Sequence, residues 1–226
     1  MELEALMITL YGFGRVHRAV IGETRDLRVE WALLEMDLPY QVYGVDHTAG
    51  EMKTDEFAEI NCLKLLPVIE DDGFRVSESG AILLYLAEKS GKLIPADFQG
   101  RTRVAQWCFS ALTTVERPIF EIQILDKFGG DSVAERTRRA EMVKQSERWF
   151  TTLEKLFESR PWVAGEEFTV ADILLASVFR EIRMTDLLQP YPHLTDYYDR
   201  CHARPAWKRT LEVYAERLGV EPAEIA

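Results

Sequence analysis

The sequence predicts an α/β N-terminal region followed by an all-α C-terminal region, and three observations carry that prediction. The β-type runs all fall before Ser79. Asp72-Gly73, between Val68-Ile69-Glu70 and Phe74-Arg75-Val76, is the residue pair that suits the φ > 0 positions of a two-residue hairpin turn. Beyond Arg101 apolar residues recur at helical spacing with almost no strand signal.

The elements follow in order. Leu6 to Tyr11 is a β-type run closed by Gly12, Leu27 to Met36 carries a helical pattern, and Tyr40 to Val45 is a second strand. A strand, helix, strand unit favours a right-handed crossover and parallel pairing. Asp55 to Asn61 has room for a helical turn, after which Pro67 stands at the mouth of the hairpin. Ser77-Glu78-Ser79 then supplies capping groups ahead of the apolar run Ala81 to Leu86, giving the order β-α-β-(α)-β-β-α. Periodicity is lost over 88–100, which reads as a linker. Residues 101–158 read as two long antiparallel helices, the first kinked at Pro118. Thr169-Val170-Ala171-Asp172 has the outline of a capping box, and two further helices start near Leu194 and Ala206.

Composition narrows the function classes. A chain of 226 residues, 47% hydrophobic and 29% charged, has the balance of a soluble globular protein, and a formal net charge of -11 argues against a nucleic-acid partner. Cys62, Cys108 and Cys201 show neither CxxC nor zinc spacing, so they are expected to be buried free thiols in a reducing, cytoplasmic compartment. Met1 to Ala5 has no basic character and no apolar run approaches about 18 residues, so neither secretion nor membrane spanning is expected.

The run from Leu66 to Ser79 resembles the glutathione-site segment of the cytosolic glutathione S-transferase family: an apolar residue, Pro, Val, a hairpin, then Glu-Ser opening a helix. Pro161-Trp162-Val163-Ala164-Gly165 and the box at Thr169 resemble that family's helical domain. The resemblance implies the glutathione transferase two-domain architecture: a thioredoxin-like glutathione-binding domain over 1–87, a linker over 88–100, and an all-helical domain over 101–226 contributing the second-substrate pocket. It also implies a cytoplasmic homodimer of the bacterial Ser/Thr type, using glutathione as cosubstrate without a metal and detoxifying a small hydrophobic electrophile. An isomerase, dehalogenase or ether-cleaving variant stays open, as does a non-catalytic ligand-binding or regulatory member.

The resemblance assigns roles residue by residue. Pro67 would be cis, and Leu66 before it would pair its N–H and C=O with the cysteinyl backbone of glutathione. Glu78 would meet the γ-glutamyl ammonium, and Ser79 with the helix start its carboxylate. Thr24, four residues before Arg28, fits the hydroxyl that donates to the thiol; a plain N-cap is the competing reading, and Tyr11 is a rival donor. Met52 and Leu65 occupy positions where many members place a group for the glycyl carboxylate, and Lys53 is one step away. Phe13 to Glu23 read as a long loop whose Arg15 and Arg18 could compensate. Phe13, Ser110, Thr114 and Arg117 are the second-substrate candidates, with ordinary packing as their alternative.

Overall fold

The computed structural model describes residues 7–225. Leu6 and the Met1 to Ala5 stretch read for a targeting signal lie outside them. The first part of the chain runs β1 (Ile8–Arg15), α1 (Asp26–Glu35), β2 (Tyr40–Asp46), α2 (Asp55–Ile60), β3 (Val68–Asp71), β4 (Phe74–Ser77) and α3 (Ser79–Ser90). The four strands form one sheet in the order β2-β1-β3-β4. β1 pairs parallel with β2, while β3 runs antiparallel to both β1 and β4. The hairpin turns on Asp72 at φ 52° and Gly73 at φ 77°, the left-handed pair that the Asp-Gly sequence suits.

β1 is longer than its sequence suggests. Gly12 does not close it, because Gly12 and Gly14 are sites of close approach: a Cβ on Gly14 would fall 2.6 Å from the Gly44 carbonyl oxygen across the sheet, and one on Gly12 would fall 2.9 Å from Asp26 Oδ2. The loop expected to begin at Phe13 therefore begins at Val16. Its later part is anchored, with Ile21 against Leu27, Tyr214, Ala215 and Ile225, while His17 to Ala19 are exposed. Gly22, at φ 81°, sits where a Cβ would come within 3.0 Å of Ile225.

The helices after α3 are α4 (Phe98–Phe109), α5 (Glu116–Phe128), α6 (Val133–Phe157), α7 (Val170–Arg180), α8 (Pro192–His202) and α9 (Pro205–Leu218). A π-helical segment, Ser110–Val115, joins α4 to α5 ahead of Pro118, whose missing N–H breaks the regular ladder there. The capping box at α7 forms as expected: Thr169 N–H and Oγ1 donate to Asp172 Oδ2 at 2.9 and 3.0 Å, and Val163 N–H donates to Oδ1 at 2.8 Å.

By contacts the chain divides into two compact units. One runs to Lys92 and also takes in the residues from Arg204 onward; the other is Leu93–Ala203. The sequence placed α9 with the other late helices. Instead its apolar face, with Trp207, Tyr214 and Ala215 all buried, belongs to the first unit. Trp207 packs on Trp31 of α1 with ring centroids 4.8 Å apart, and Arg204 grips Glu35 at 2.6 and 2.7 Å. An amphipathic pattern states that a helix has a face to bury but not what buries it. The cysteines need one correction: Cys108 and Cys201 are buried, whereas Cys62 is exposed. It lies in the turn after α2, where no packed element covers it.

Candidate functional site

The hairpin register brings the two ends of the Leu66 to Ser79 run together. Val68 is directly opposite Ser77, so the chain immediately before β3 stands beside the chain immediately after β4. On the first side, the Leu66-Pro67 peptide is cis. Neither the N–H nor the C=O of Leu66 has a hydrogen-bond partner among the described residues. Asn61 shapes the approach: buried, it donates from Nδ2 to the Leu65 carbonyl at 2.9 Å and accepts the Leu63 N–H at 3.1 Å.

On the second side, Glu78 holds φ 70°, ψ 115°, a conformation that suits glycine. Such a residue costs of order 1–3 kcal/mol and persists where surroundings or function require it. Its carbonyl starts α3 by accepting the Ile82 N–H at 2.9 Å, while its exposed carboxylate has no cap bond and no ion pair among the described residues. Ser79 follows, buried, at the α3 N-terminus, where unpaired N–H groups favour an anion. An unpartnered backbone pair, a free carboxylate and a helix N-terminus thus lie side by side. Together they can take a peptide-like zwitterion.

Thr24 precedes α1, and it does not cap the helix. Arg25 is the N-cap residue and has no side-chain cap bond, while Thr24 Oγ1 lies 2.6 Å from the Tyr214 hydroxyl of α9. The plain N-cap reading of Thr24 therefore gives way to a specific pairing. Behind it is a buried charge cluster. Arg217 donates to Glu30 Oε1 and Oε2 at 2.7 and 2.9 Å, to Asp26 Oδ2 at 3.2 Å and to the Phe13 carbonyl at 3.1 Å. Asp26 Oδ2 also accepts the Phe13 N–H at 3.0 Å, and Tyr40 donates to Glu30 at 3.1 Å. Burial pushes the Glu30 carboxyl up, against the pull of Arg217.

The remaining candidates are placed as follows. Tyr11 donates its hydroxyl to Glu70 at 3.2 Å, and burial followed by the Glu70 charge raises the phenol above its ordinary value, so its proton is committed within the sheet. Arg15 ends β1 and pairs with Asp46 at 3.6 Å; Arg18 pairs with Glu224 at 3.2 Å. Neither arginine is an uncommitted cation. Lys53 is exposed with no ion pair among the described residues, and its carbonyl accepts the Lys64 ammonium at 2.9 Å. Phe13 is half-buried on β1, edge-on to His47 at 6.0 Å. Ser110, Thr114 and Arg117 lie on the π-helical segment and the first turn of α5, with Thr114 and Arg117 exposed. No cluster of three or more His, Cys, Asp or Glu that could hold a metal is found among the described residues. Among those residues, no helix is long and apolar enough to cross a membrane.

Sequence reasoning missed Asn61, Tyr214 and Arg217. Asn61 carried a signal, a polar residue preceding a turn, but the partners of Tyr214 and Arg217 are far away along the chain.

This mixed four-stranded sheet, with its cis-proline turn and helical companion unit, is the architecture of one class of protein. The family model for the glutathione S-transferase N-terminal domain matches residues 19–88, and that for the C-terminal domain matches residues 117–205. The chain belongs to the glutathione S-transferase family. It is 30% identical over 207 residues to a GST-like protein of Streptococcus mutans, covering 86% of this chain and 76% of that one. It is 29% identical over 187 residues to a disulfide-bond oxidoreductase of Escherichia coli, covering 79% and 86%. Among solved structures, a glutathione transferase from Burkholderia graminis, with two glutathione molecules bound per subunit, superposes with a TM-score of 0.80 at 29% identity, covering 92% of this chain and 88% of that one.

Proposed function

We propose that the protein binds glutathione in its first unit and activates the thiol for attack on a small electrophile. The observation that carries the proposal is the junction at Leu66 and Glu78: an unpartnered backbone N–H and C=O beside an exposed, unpaired carboxylate held in a strained conformation at a helix start. Leu66 pairs with the cysteinyl backbone, Glu78 with the γ-glutamyl ammonium, and Ser79 with the γ-glutamyl carboxylate. Lys53 is the available cation for the glycyl end, where Met52 and Leu65 can offer no charge. The Thr24 hydroxyl donates to the sulfur and stabilises the thiolate. The thiolate forms a carbon–sulfur bond with the electrophile as the leaving group departs or the electron pair moves into the acceptor. The same reading carries a cytoplasmic homodimer, which light scattering of the purified protein tests.

A second reading is favoured by the bound pair of glutathiones in the Burkholderia graminis relative. In it, one glutathione thiolate attacks a small disulfide and a second displaces the mixed disulfide, so that two thiols are oxidised to glutathione disulfide as the substrate is reduced.

Calorimetric titration with glutathione, followed by ultraviolet titration of the bound thiol, tests the proposal. Binding is expected, with the thiol ionising below the ordinary cysteine value of about 8.5. Absence of binding refutes it, and binding without a lowered thiol value marks a non-catalytic binding protein. Glutathione-disulfide release from a small disulfide, without conjugation of any electrophile, selects the second reading.

A further inference from the structure

We infer that Tyr214 is a positioning residue for the Thr24 hydroxyl, fixing it as a hydrogen-bond donor toward the ligand; this rests on the role proposed above for Thr24. Tyr214 is fully buried on α9, and its oxygen accepts the Gly22 N–H at 3.3 Å. The phenol has one proton, and the only acceptor within reach among the described residues is Thr24 Oγ1 at 2.6 Å. The opposite polarity, with Thr24 donating, would leave a buried phenol proton without an acceptor, a costly arrangement.

With Tyr214 donating, Thr24 receives a hydrogen bond and keeps its own proton for something else. Its hydroxyl has no other protein partner among the described residues, and its carbonyl is occupied by the Leu27 N–H at 3.3 Å. The residue is half-buried, so the proton is left for a group arriving from solvent. A hydroxyl that accepts one hydrogen bond is polarised into a better donor of the next. The Gly22 amide, the phenol and the threonine hydroxyl form a relay that points one way.

The relay is held rigidly. Arg217 lies 5.0 Å over the Tyr214 ring, Leu27, Ala215 and Ile225 pack around it, and Gly22 is seated at φ 81°. The charges bearing on the phenol are Asp26 and Arg217, with Glu30 bound to Arg217 behind them. Burial, then Asp26, keeps the phenol protonated far above neutral pH, so its donor role is constant through the working range.

The test is ultraviolet titration of glutathione bound to the full chain, with glutathione affinity measured in parallel. Tyr214→Phe is expected to lower the bound thiolate population about three- to tenfold at fixed pH, the yield of one hydrogen bond, as an upward shift of the thiol value. Affinity should change less than the thiolate does. Thr24→Ala should shift the thiol value more, Thr24→Ser should retain it, and Tyr214→Phe added to Thr24→Ala should produce no further shift. A Tyr214→Phe shift that persists in the Thr24→Ala background, or a loss of activity without any shift, overturns the inference. A thiol value unmoved by Thr24→Ala overturns the role of Thr24 itself, and with it the inference. Should Tyr214→Phe not fold, fluorotyrosine placed at position 214 makes a stronger donor of similar shape. It should lower the thiol value with Thr24 present and leave it unchanged with Thr24→Ala; equal behaviour in both backgrounds overturns the inference.

Discussion

Arg217→Met tests the energetic centre of the first unit. The guanidinium is 13% exposed, its partners Asp26 and Glu30 are 0% and 1% exposed, and the substitution removes four hydrogen bonds at once. What remains is two carboxylates out of water without their cation. Removing one partner of a buried ion pair costs about 3–5 kcal/mol, mostly from the charge left behind, and that is a large part of the roughly 5–15 kcal/mol that holds a domain folded. Equilibrium urea unfolding followed by tryptophan fluorescence should show the unfolding free energy of the first unit lowered by that amount, with its midpoint at lower denaturant. Arg217→Lys should fall between, since an ammonium keeps the charge but not the fork that reaches both Glu30 oxygens. Adding Glu30→Gln to Arg217→Met should restore part of the loss. The pH dependence follows with a definite sign. Glu30 already has a raised value beside Arg217 and rises further without it, so its protonated form fits the fold better. The penalty should be smaller in acid and reach its full size as pH rises through the folded Glu30 value. A loss under about 1 kcal/mol at neutral pH would refute the reasoning, because the carboxylates would then be compensated by something other than Arg217.

Two further predictions concern local features. Glu78→Gly relieves a non-glycine residue at φ 70°, so thermal stability should hold or rise while glutathione affinity falls at least about tenfold by calorimetry; an unchanged affinity would remove Glu78 from the site. His202 lies tilted against Tyr198, ring centroids 4.1 Å apart, and burial, with the Arg180 and Arg183 charges adding to it, holds its value down at about 3. The neutral ring in the fold then contributes stability that is full above the unfolded value near 6.5 and is lost as pH falls, by about 2 kcal/mol between pH 8 and pH 5. His202→Phe should flatten that part of a pH-dependent urea series.

What was legible in the sequence is what short stretches encode. The Asp72-Gly73 turn and the box at Thr169 and Asp172 each depend on residues within a few positions of one another, and each forms as read; α3 starts where expected, at Ser79, but without the side-chain cap that Ser77-Glu78-Ser79 was expected to supply. The same locality made the Leu66 and Glu78 junction readable, because one hairpin brings its two sides together. The extension of β1 was hidden because a glycine marks a turn and a close backbone contact with the same letter. Cys62 misled for a similar reason: a cysteine is usually buried, and only the packing around α2 shows that this one is not.

The partner of Thr24 was hidden for a deeper reason. Thr24 and Tyr214 are 190 positions apart, and a tyrosine on the apolar face of a late helix looks like any other core aromatic. The family model for the C-terminal domain stops at residue 205, where α9 begins. The helix that grips Glu35, pairs Arg217 with Asp26 and Glu30 and reaches Thr24 thus lies beyond the part of the chain the family pattern describes. In this protein the glutathione half of the site would be set by a local motif, and the donor to its sulfur by a helix outside the motif. On the proposed reading the two would vary independently: substitutions along α9 would retune thiol ionisation while Leu66, Glu78 and Ser79, and with them the contacts to the rest of glutathione, stayed as they are.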